Sequence, residues 1–206
     1  MALRDTSIGS AYYRLLNNTL IPLIQKSPIS PNQVSLIGLG LAALAPLGFY
    51  LHPFFGFLFM GLSALVDCLD GLVARAKNLS STFGAFLDST LDRASDAFFL
   101  AGFWVLFWDA GHFKTATALV FASFLSTVLI SYTRARAEGL GLTCTSGLFE
   151  RGLRTVYLLA WALLLALFPL VRTHLLWWGL ALFLLLTLAT VFQRIFLVKS
   201  ALEGSK

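Results

Sequence analysis

Four aspartates lie close together in some of the most apolar surroundings of this chain. Asp67 and Asp70 are three positions apart, and Asp88 and Asp92 are four apart. If these segments are helical, each pair lies on one face of its helix. A carboxylate near a bilayer interior costs about 2.5 to 3.5 kcal/mol, so four of them imply a compensating cation or a water-filled cavity. We interpret the set as a divalent-metal site.

The residue types around these aspartates indicate phosphate chemistry. A donor set of oxygens without sulfur or imidazole suits Mg²⁺ or Mn²⁺, completed by waters and substrate phosphates. Gly71 lacks a Cβ and lets a bulky phosphate approach the helix backbone. Arg75 lies two turns beyond Asp67 and is placed to neutralise a diphosphate oxygen. Together these residues predict metal-assisted phosphoryl transfer.

The two aspartate pairs must be brought together by a helical hairpin. We expect its turn near Leu79, with Asp70 nine residues before that point and Asp88 nine residues after it. Asp67 lies twelve residues before the turn and Asp92 thirteen after. At about 1.5 Å of rise per residue, antiparallel helices place the two pairs at matching depths. The four carboxylates are therefore predicted to meet in one cavity.

The composition indicates an all-α integral membrane protein. Of 206 residues, 58% are hydrophobic and only 12% are charged, against about 25% charged in soluble domains. We predict a single domain, 1–206, in which residues 1–27 hold an interfacial amphipathic helix over 12–24 and residues 28–198 form a core of six transmembrane helices. The predicted spans are 33–51, 54–75, 83–108, 115–137, 153–171 and 174–196.

The distribution of basic residues predicts the orientation of these spans. Twelve of the 15 lysines and arginines fall on the side that holds both termini, whereas only Lys114 and Arg172 fall on the other. By the positive-inside rule, both termini face the cytoplasm. We therefore expect a multi-pass protein of the cell membrane whose active site faces the cytoplasm. The net charge of +5 then reflects topology and anionic membrane lipids, and we expect no nucleic-acid partner.

Arginines at the cytoplasmic ends of the last three spans form a second candidate site. Guanidinium groups bind phosphate in a bidentate way. This set of arginines therefore suggests that the molecule which accepts the transferred group already carries a phosphate. Anchoring by the positive-inside rule explains any single arginine equally well. The predicted acceptor-binding residues are Arg134, Arg136, Arg151, Arg154 and Arg194.

Other functions and structural roles are open at this point. The aspartates could pair with Arg75, Lys77 and Arg93 near a helical hairpin, and for Asp96 a structural role is expected. An intramembrane prenyltransferase also binds diphosphate through metal and aspartates, but usually has more spans and two distant aspartate motifs. A cation transporter with the aspartates along its ion path is an alternative outside enzymes.

The spacing of the acidic segment resembles the signature of the CDP-alcohol phosphotransferases, six-span enzymes of phospholipid synthesis. The matching residues are Asp67, Asp70, Gly71, Ala74, Arg75, Gly84, Asp88 and Asp92. The resemblance implies that the aspartates hold metal, in two ions, and that Asp92 also takes the proton from the acceptor alcohol. It further implies a homodimer and a CDP-diacylglycerol-like donor. The donor-binding residues it implies are Asn32, Gln33, Val34, Ser35, Asp70, Gly71, Ala74, Arg75, Ser81 and Thr82.

Beyond the signature, the chain resembles the phosphatidylinositol-phosphate synthase branch of that family over about residues 28–195. The matching segments are 131–138, 149–151, Arg154 and 193–194. Arg134 and Gly152 stand where that branch usually has lysine and proline. The resemblance implies an acceptor such as inositol phosphate, with a glycerol 3-phosphate acceptor as the alternative.

Overall fold

In the computed structural model of the chain, the residues described are 22, 28–108, 110–144 and 147–203. Their secondary structure is entirely helical, with six α-helices and one short 3₁₀ turn. The predicted interfacial helix over 12–24 lies outside the described residues except for Pro22. The helices are α1 (Pro31–Leu51), α2 (Pro53–Ala76), α3 (Thr82–Leu106), α4 (Phe113–Glu138), α5 (Arg151–Leu167), the 3₁₀ turn Pro169–Val171 and α6 (Arg172–Glu203).

Local sequence accounts for where the first helices begin. Pro31 and Pro53 are the first residues of α1 and α2, where a missing N–H costs nothing. Ser30 and Gln33 form a capping box before α1. The Gln33 amide donates to Ser30 Oγ at 3.3 Å, and the Ser30 amide donates to Gln33 Oε1 at 2.8 Å. These bonds satisfy two backbone donors that the first turn leaves open.

The helix ends lie within two residues of the six predicted spans, with two exceptions. α6 continues to Glu203, whereas the sixth span was predicted to end at residue 196. The other exception is the end of the fifth span. We expected that span to reach residue 171, but α5 ends at Leu167 because Pro169 begins a separate 3₁₀ turn. Proline disfavours helix in the residue before it, and Phe168 has a non-helical backbone with φ −120° and ψ 69°.

Within the described residues, four helical segments are long and apolar enough to cross a membrane: α1, α2, α4, and α6 together with its 3₁₀ turn. The other two helices differ for identifiable reasons. α3 carries Asp88, Asp92, Arg93 and Asp96 within its 25 residues, and α5 is only 17 residues long.

The chain packs as two compact units, and the described part of the first consists of residues 22, 28–40 and 62–92. The hydroxyl of Ser63 on α2 donates to the Gly38 carbonyl on α1 at 2.9 Å. A Cβ on Gly38 would lie 3.4 Å from a methyl of Val66, so the small residue lets the two helices approach closely. This contact holds the start of α1 beside the end of α2.

The second unit comprises residues 41–61 and 93–206, of which the structure describes residues up to 203 apart from 109, 145 and 146. It contains a large aromatic core. The ring of Phe49 lies 4.9 Å from that of Phe103, which stacks on Trp161 at 3.9 Å with an interplanar angle of 7°. Gly56 and Gly102 border Phe49 so closely that a Cβ on either would overlap the ring. The absence of these two side chains therefore makes room for a fully buried phenylalanine.

Candidate functional site

Three of the four predicted metal ligands converge in the first unit. Asp67, Asp70 and Asp88 each offer a carboxylate oxygen, and these oxygens lie within 4.8 Å of one another. Asp70 is buried and the other two are half-buried. Carboxylates this close repel one another unless a cation or a proton neutralises them. An all-oxygen set of this kind fits a hard divalent cation.

The turn between α2 and α3 positions this cluster. Lys77 and Leu79 continue the hydrogen bonding of α2, with their amides donating to Val73 and Ala74 carbonyls at 3.0 and 2.9 Å. Asn78 adopts a left-handed backbone with φ 54°, which asparagine tolerates better than most residues. The described turn spans residues 77–81, so the hairpin predicted around Leu79 is confirmed.

Asp92 lies one helical turn beyond Asp88 on α3 and is buried. It does not belong to the group formed by the other three aspartates within the described residues. The i, i+4 spacing therefore gives the correct helix but leaves the fourth carboxylate outside the compact cluster. Its predicted roles as a metal ligand and as a base stay predictions.

Ser35 has a role at the cluster that the sequence did not indicate. Its hydroxyl donates to Asp70 Oδ2 at 2.7 Å, so α1 fixes the orientation of a carboxylate on α2. Hydrogen bonds to ligand carboxylates commonly orient metal-binding groups in this way. The resemblance had implied only a nucleotide contact for this residue.

A cavity of about 180 Å³ lies directly beside the carboxylates. Seven of the ten predicted donor-binding residues line it, whereas Gln33, Val34 and Thr82 do not. The residues that the sequence did not assign to donor binding come mostly from the turn before α3 and the first turns of that helix. The lining residues are Pro31, Asn32, Ser35, Asp70, Gly71, Ala74, Arg75, Leu79, Ser80, Ser81, Gly84, Ala85 and Asp88.

Two contacts shape this cavity. A Cβ on Gly71 would lie 3.5 Å from Nη1 of Arg75, so the guanidinium lies beside the open backbone of that glycine. The Ser81 hydroxyl accepts a hydrogen bond from the Gly84 amide at 3.0 Å and thereby caps α3. An anion that reached Gly71 would therefore also meet the positive charge of Arg75.

The predicted acceptor arginines, all in the second unit, differ in burial. Arg134 and Arg136 are exposed, Arg151 is half-buried, and Arg154 and Arg194 are buried. Arg134 forms a 2.9 Å ion pair with Glu138 on the surface of α4. The ion pair with Glu138 accounts for the conformation of the Arg134 side chain without a ligand.

Arg154 and Arg194 are held by protein groups. Arg154 Nη2 donates to Asp96 at 3.2 Å, so Asp96 has the buried ion-pair partner that the expected structural role requires. Arg194 Nη1 donates to the Ile130 carbonyl at 2.5 Å. The Nε atoms of both arginines are buried and have no hydrogen-bond acceptor among the described residues. Each therefore keeps one donor that a phosphate oxygen could satisfy.

Comparison with known proteins identifies the class of enzyme to which this site corresponds. The family model for CDP-alcohol phosphatidyltransferase matches residues 29–197. A phosphatidylinositol phosphate synthase of Mycobacteroides abscessus is 34% identical over 90% of this chain and 84% of its own length. An archaetidylinositol phosphate synthase of Pyrococcus horikoshii is 34% identical over 85% of this chain and 86% of its own.

Solved structures of Mycobacterium tuberculosis phosphatidylinositol phosphate synthase have the same fold. The structure with CDP-DAG bound has a TM-score of 0.76 at 28% identity and covers 88% of this chain and 94% of its own. The complex with manganese and citrate has a TM-score of 0.74 at 29% identity and covers 87% of each chain. The matched family and the acidic hairpin agree in indicating a membrane-bound transferase of phospholipid biosynthesis. The chain belongs to the CDP-alcohol phosphatidyltransferase family.

Proposed function

We propose that this enzyme transfers a phosphatidyl group from CDP-diacylglycerol, or a similar CDP-lipid, to a hydroxyl of a phosphorylated polyol and releases CMP. Inositol phosphate is the acceptor we favour, because relatives named for inositol phosphate lipids match most of this chain at 34% identity. The observation that carries the reaction is the cluster of Asp67, Asp70 and Asp88 beside a small cavity lined by Gly71 and Arg75. Family membership argues against the prenyltransferase and the cation transporter.

The carboxylate cluster fits a divalent metal, and we propose Mg²⁺ or Mn²⁺, in two ions, as its occupant. Asp67, Asp70, Asp88 and Asp92 would hold it, and the manganese complex of the related synthase supports this choice. When bound, the metal supplies positive charge that neutralises the donor's diphosphate. Ser35 keeps one oxygen of Asp70 fixed by its 2.7 Å hydrogen bond, which limits how far that ligand can turn.

We assign the CDP end of the donor to the 180 Å³ cavity. This volume is below the roughly 300 to 1,000 Å³ of a pocket for a whole drug-sized ligand, so it accommodates only part of the donor. Arg75 would neutralise phosphate charge over Gly71, and Ser81 and Asn32 would offer polar groups to the nucleotide. Three of the predicted donor-binding residues do not line the cavity and would affect donor binding only by shaping the first turns of α1 and α3: Gln33, Val34 and Thr82.

Asp92 is the proposed general base. Its carboxylate takes the proton of the acceptor hydroxyl, and the resulting oxygen forms a bond to the lipid-side phosphorus of the donor. The bond from that phosphorus to the bridging oxygen breaks, and CMP leaves with that oxygen. Asp92 is buried one helical turn beyond Asp88 on α3, and this supports the role because its carboxylate would lie close to the proposed metal site and away from bulk water.

We assign recognition of the acceptor's phosphate to the arginines at the ends of α4, α5 and α6. Arg194 and Arg154 are the strongest members, since each retains a buried Nε–H without an acceptor among the described residues. Gly147 passes close to Arg194, and a Cβ there would lie 3.1 Å from its Nε. Arg134, Arg136 and Arg151 would add positive charge around the acceptor.

The membrane arrangement is part of the same proposal. All six helices would span the cell membrane within a core of residues 28–198, residues 1–27 would lie along its surface, and the aspartates would face the cytoplasm. The short α5 and the charged α3 would cross only as members of the bundle, where their polar groups are covered. We also propose a homodimer, which the mass of the protein in detergent solution can test.

A substrate panel tests the proposed function. Purified enzyme receives CDP-diacylglycerol or its archaeal ether-lipid counterpart together with inositol phosphate, glycerol 3-phosphate, serine or free inositol, and CMP release is measured with Mg²⁺ and with a chelator. We expect release with inositol phosphate only when metal is present. Preference for glycerol 3-phosphate would support the alternative acceptor, and no metal-dependent CMP release with any pair would contradict the proposal.

A further inference from the structure

A second cavity lies among helix ends in the second unit and has a volume of about 740 Å³. Its lining comes from the end of α1, the turn before α2, the end of α3 and the 3₁₀ turn that leads into α6. The described lining includes none of the residues assigned above to metal, donor or acceptor. The cavity is therefore a separate candidate for ligand binding.

Arg172 gives this cavity a positive charge. Its Nε is buried and has no hydrogen-bond acceptor among the described residues. Buried N–H groups are nearly always paired with protein or with another acceptor. The described lining residues include no aspartate or glutamate. An anionic ligand would supply the acceptor that Arg172 lacks.

His52 and Thr173 add hydrogen-bonding groups to the same lining. His52 Nδ1 accepts a hydrogen bond from the Phe54 amide at 3.2 Å. A neutral imidazole that accepts at Nδ1 carries its proton on Nε2, which leaves Nε2–H as a donor. With Arg172 and the Thr173 hydroxyl, the cavity offers donors of three kinds. This arrangement favours a ligand rich in acceptor oxygens.

The rest of the lining is aromatic and aliphatic. Tyr50 and Trp108 are 75% and 69% exposed, and such residues are enriched where membrane and water meet. Trp104 is held in place because its Nε1 donates to Thr117 Oγ1 at 2.9 Å. A volume of 740 Å³ also far exceeds one phosphate ion and lies in the range of roughly 300 to 1,000 Å³ for larger ligands. The lining therefore suits a ligand with an anionic part and an apolar part.

We propose that this cavity binds the headgroup of an anionic phospholipid, with Arg172 and His52 donating to its phosphate and the aromatic residues surrounding its glycerol region. The proposal concerns a lipid that is neither donor nor product at the carboxylate cluster. It stands independently of the acceptor proposed above.

Thermal unfolding of the purified enzyme in detergent tests this binding. Short-chain phosphatidylglycerol, short-chain phosphatidylcholine and inorganic phosphate are each added to the wild type, to Arg172→Gln and to Lys114→Gln. Lys114 is exposed and lies outside the cavity lining, so its variant is a control with the same loss of charge. We expect phosphatidylglycerol to raise the Tm of the wild type and of Lys114→Gln by about 5 °C near saturation. The increase should largely disappear in Arg172→Gln, whose CMP release should stay at the wild-type rate.

Three results would overturn the proposal. Phosphatidylcholine could stabilise as strongly as phosphatidylglycerol, Arg172→Gln could keep the full shift, or inorganic phosphate alone could reproduce it. If Arg172→Gln does not fold, native mass spectrometry of the wild type after mild delipidation tests whether the cavity selects an anionic lipid. Preferential retention of phosphatidylglycerol over phosphatidylcholine supports the site, and equal retention rejects it.

Discussion

The hydroxyl of Ser35 on α1 donates a 2.7 Å hydrogen bond to Oδ2 of Asp70 on α2. The two residues are 35 positions apart in the sequence, and Asp70 belongs to the group of three carboxylates whose oxygens lie within 4.8 Å. The first helix therefore takes part in orienting a proposed metal ligand without providing one itself.

Replacing Ser35 with alanine should weaken metal binding. Loss of the hydrogen bond frees the Asp70 carboxylate to rotate. Mutation of a residue that hydrogen-bonds to a metal ligand typically lowers metal affinity by about 10- to 100-fold. The Mn²⁺ concentration that gives half-maximal activity should rise by that factor, with kcat at saturating metal close to the wild type. Ser63→Ala is the matched control, because Ser63 bonds the Gly38 carbonyl between the same helices. An unchanged Mn²⁺ requirement in Ser35→Ala would contradict the orienting role.

Asp92→Asn should abolish most turnover while leaving the fold intact. Removal of a general base lowers kcat by about 10²- to 10⁴-fold, and asparagine preserves the shape of the buried side chain. Single-turnover CMP release and circular dichroism give the two readouts. Near-normal kcat in a folded variant would remove Asp92 from the proposed proton transfer.

Asp96→Asn should instead act on stability. It leaves the guanidinium of Arg154 buried without its counter-charge, which costs about 3 to 5 kcal/mol in comparable buried pairs. The double variant Asp96→Asn with Arg154→Met should regain part of that loss in thermal unfolding. Arg134→Gln is the control, since it removes an exposed pair worth at most about 1 kcal/mol. If Asp96→Asn unfolds like the wild type, the pair does not stabilise the fold.

Gly84→Ala should raise the KM for the CDP-lipid. The new Cβ would lie 3.1 Å from Ser81 Oγ and 3.7 Å from Asn32 Oδ1, both in the lining of the 180 Å³ cavity. The added methyl takes space from the cavity lining, and a loss of about 1.4 kcal/mol in donor binding would raise this KM about tenfold, which is the size of effect we expect. Gly40→Ala serves as the control, because a Cβ there meets nothing within 4 Å. Equal donor KM values in the two variants would exclude Gly84 from donor binding.

Arg194→Gln should raise the KM for the acceptor more than that for the donor. A hydrogen bond to a charged group contributes about 1.5 to 3 kcal/mol, which corresponds to about a 10- to 100-fold change in affinity. Lys199→Gln on the same helix is the control, since Lys199 is exposed and lies 3.7 Å from Glu203. An acceptor KM unchanged from the wild type would count against the phosphate-binding role.

Much of the acidic hairpin could be predicted because its information is local. The spacing of Asp67, Asp70 and Asp88 fixes their faces on two helices, and the short turn between α2 and α3 fixes the depth at which they meet. The early end of α5 also had a local signal, in Pro169, which the unbroken apolar run through residue 171 obscured. Long apolar runs, together with the aspartate-bearing segment, were enough to predict the number of helices described.

The remaining features depend on distant partners and have no local signal. Nothing near Ser35 in the sequence indicates that its hydroxyl meets Asp70, and nothing near Arg154 identifies Asp96 as its partner 58 positions away. Asp92 is set apart from the three clustered carboxylates by a single helical turn, a difference that spacing could not resolve. Side-chain partners chosen by tertiary packing decided each of these points.

The pairing of α4 with α6 contains a feature that matters for assembly. Ser126 Oγ donates to Thr187 Oγ1 at 2.7 Å, and both side chains are fully or almost fully buried. Lipid chains offer such hydroxyls no partner, and the outward faces of the helices are chemically alike. The Thr187 hydroxyl also donates to the Phe183 carbonyl of its own helix, so the bond from Ser126 is an additional one that only this pairing of α4 and α6 provides. We expect the hydroxyl pair to favour this neighbour over others when the last helix packs.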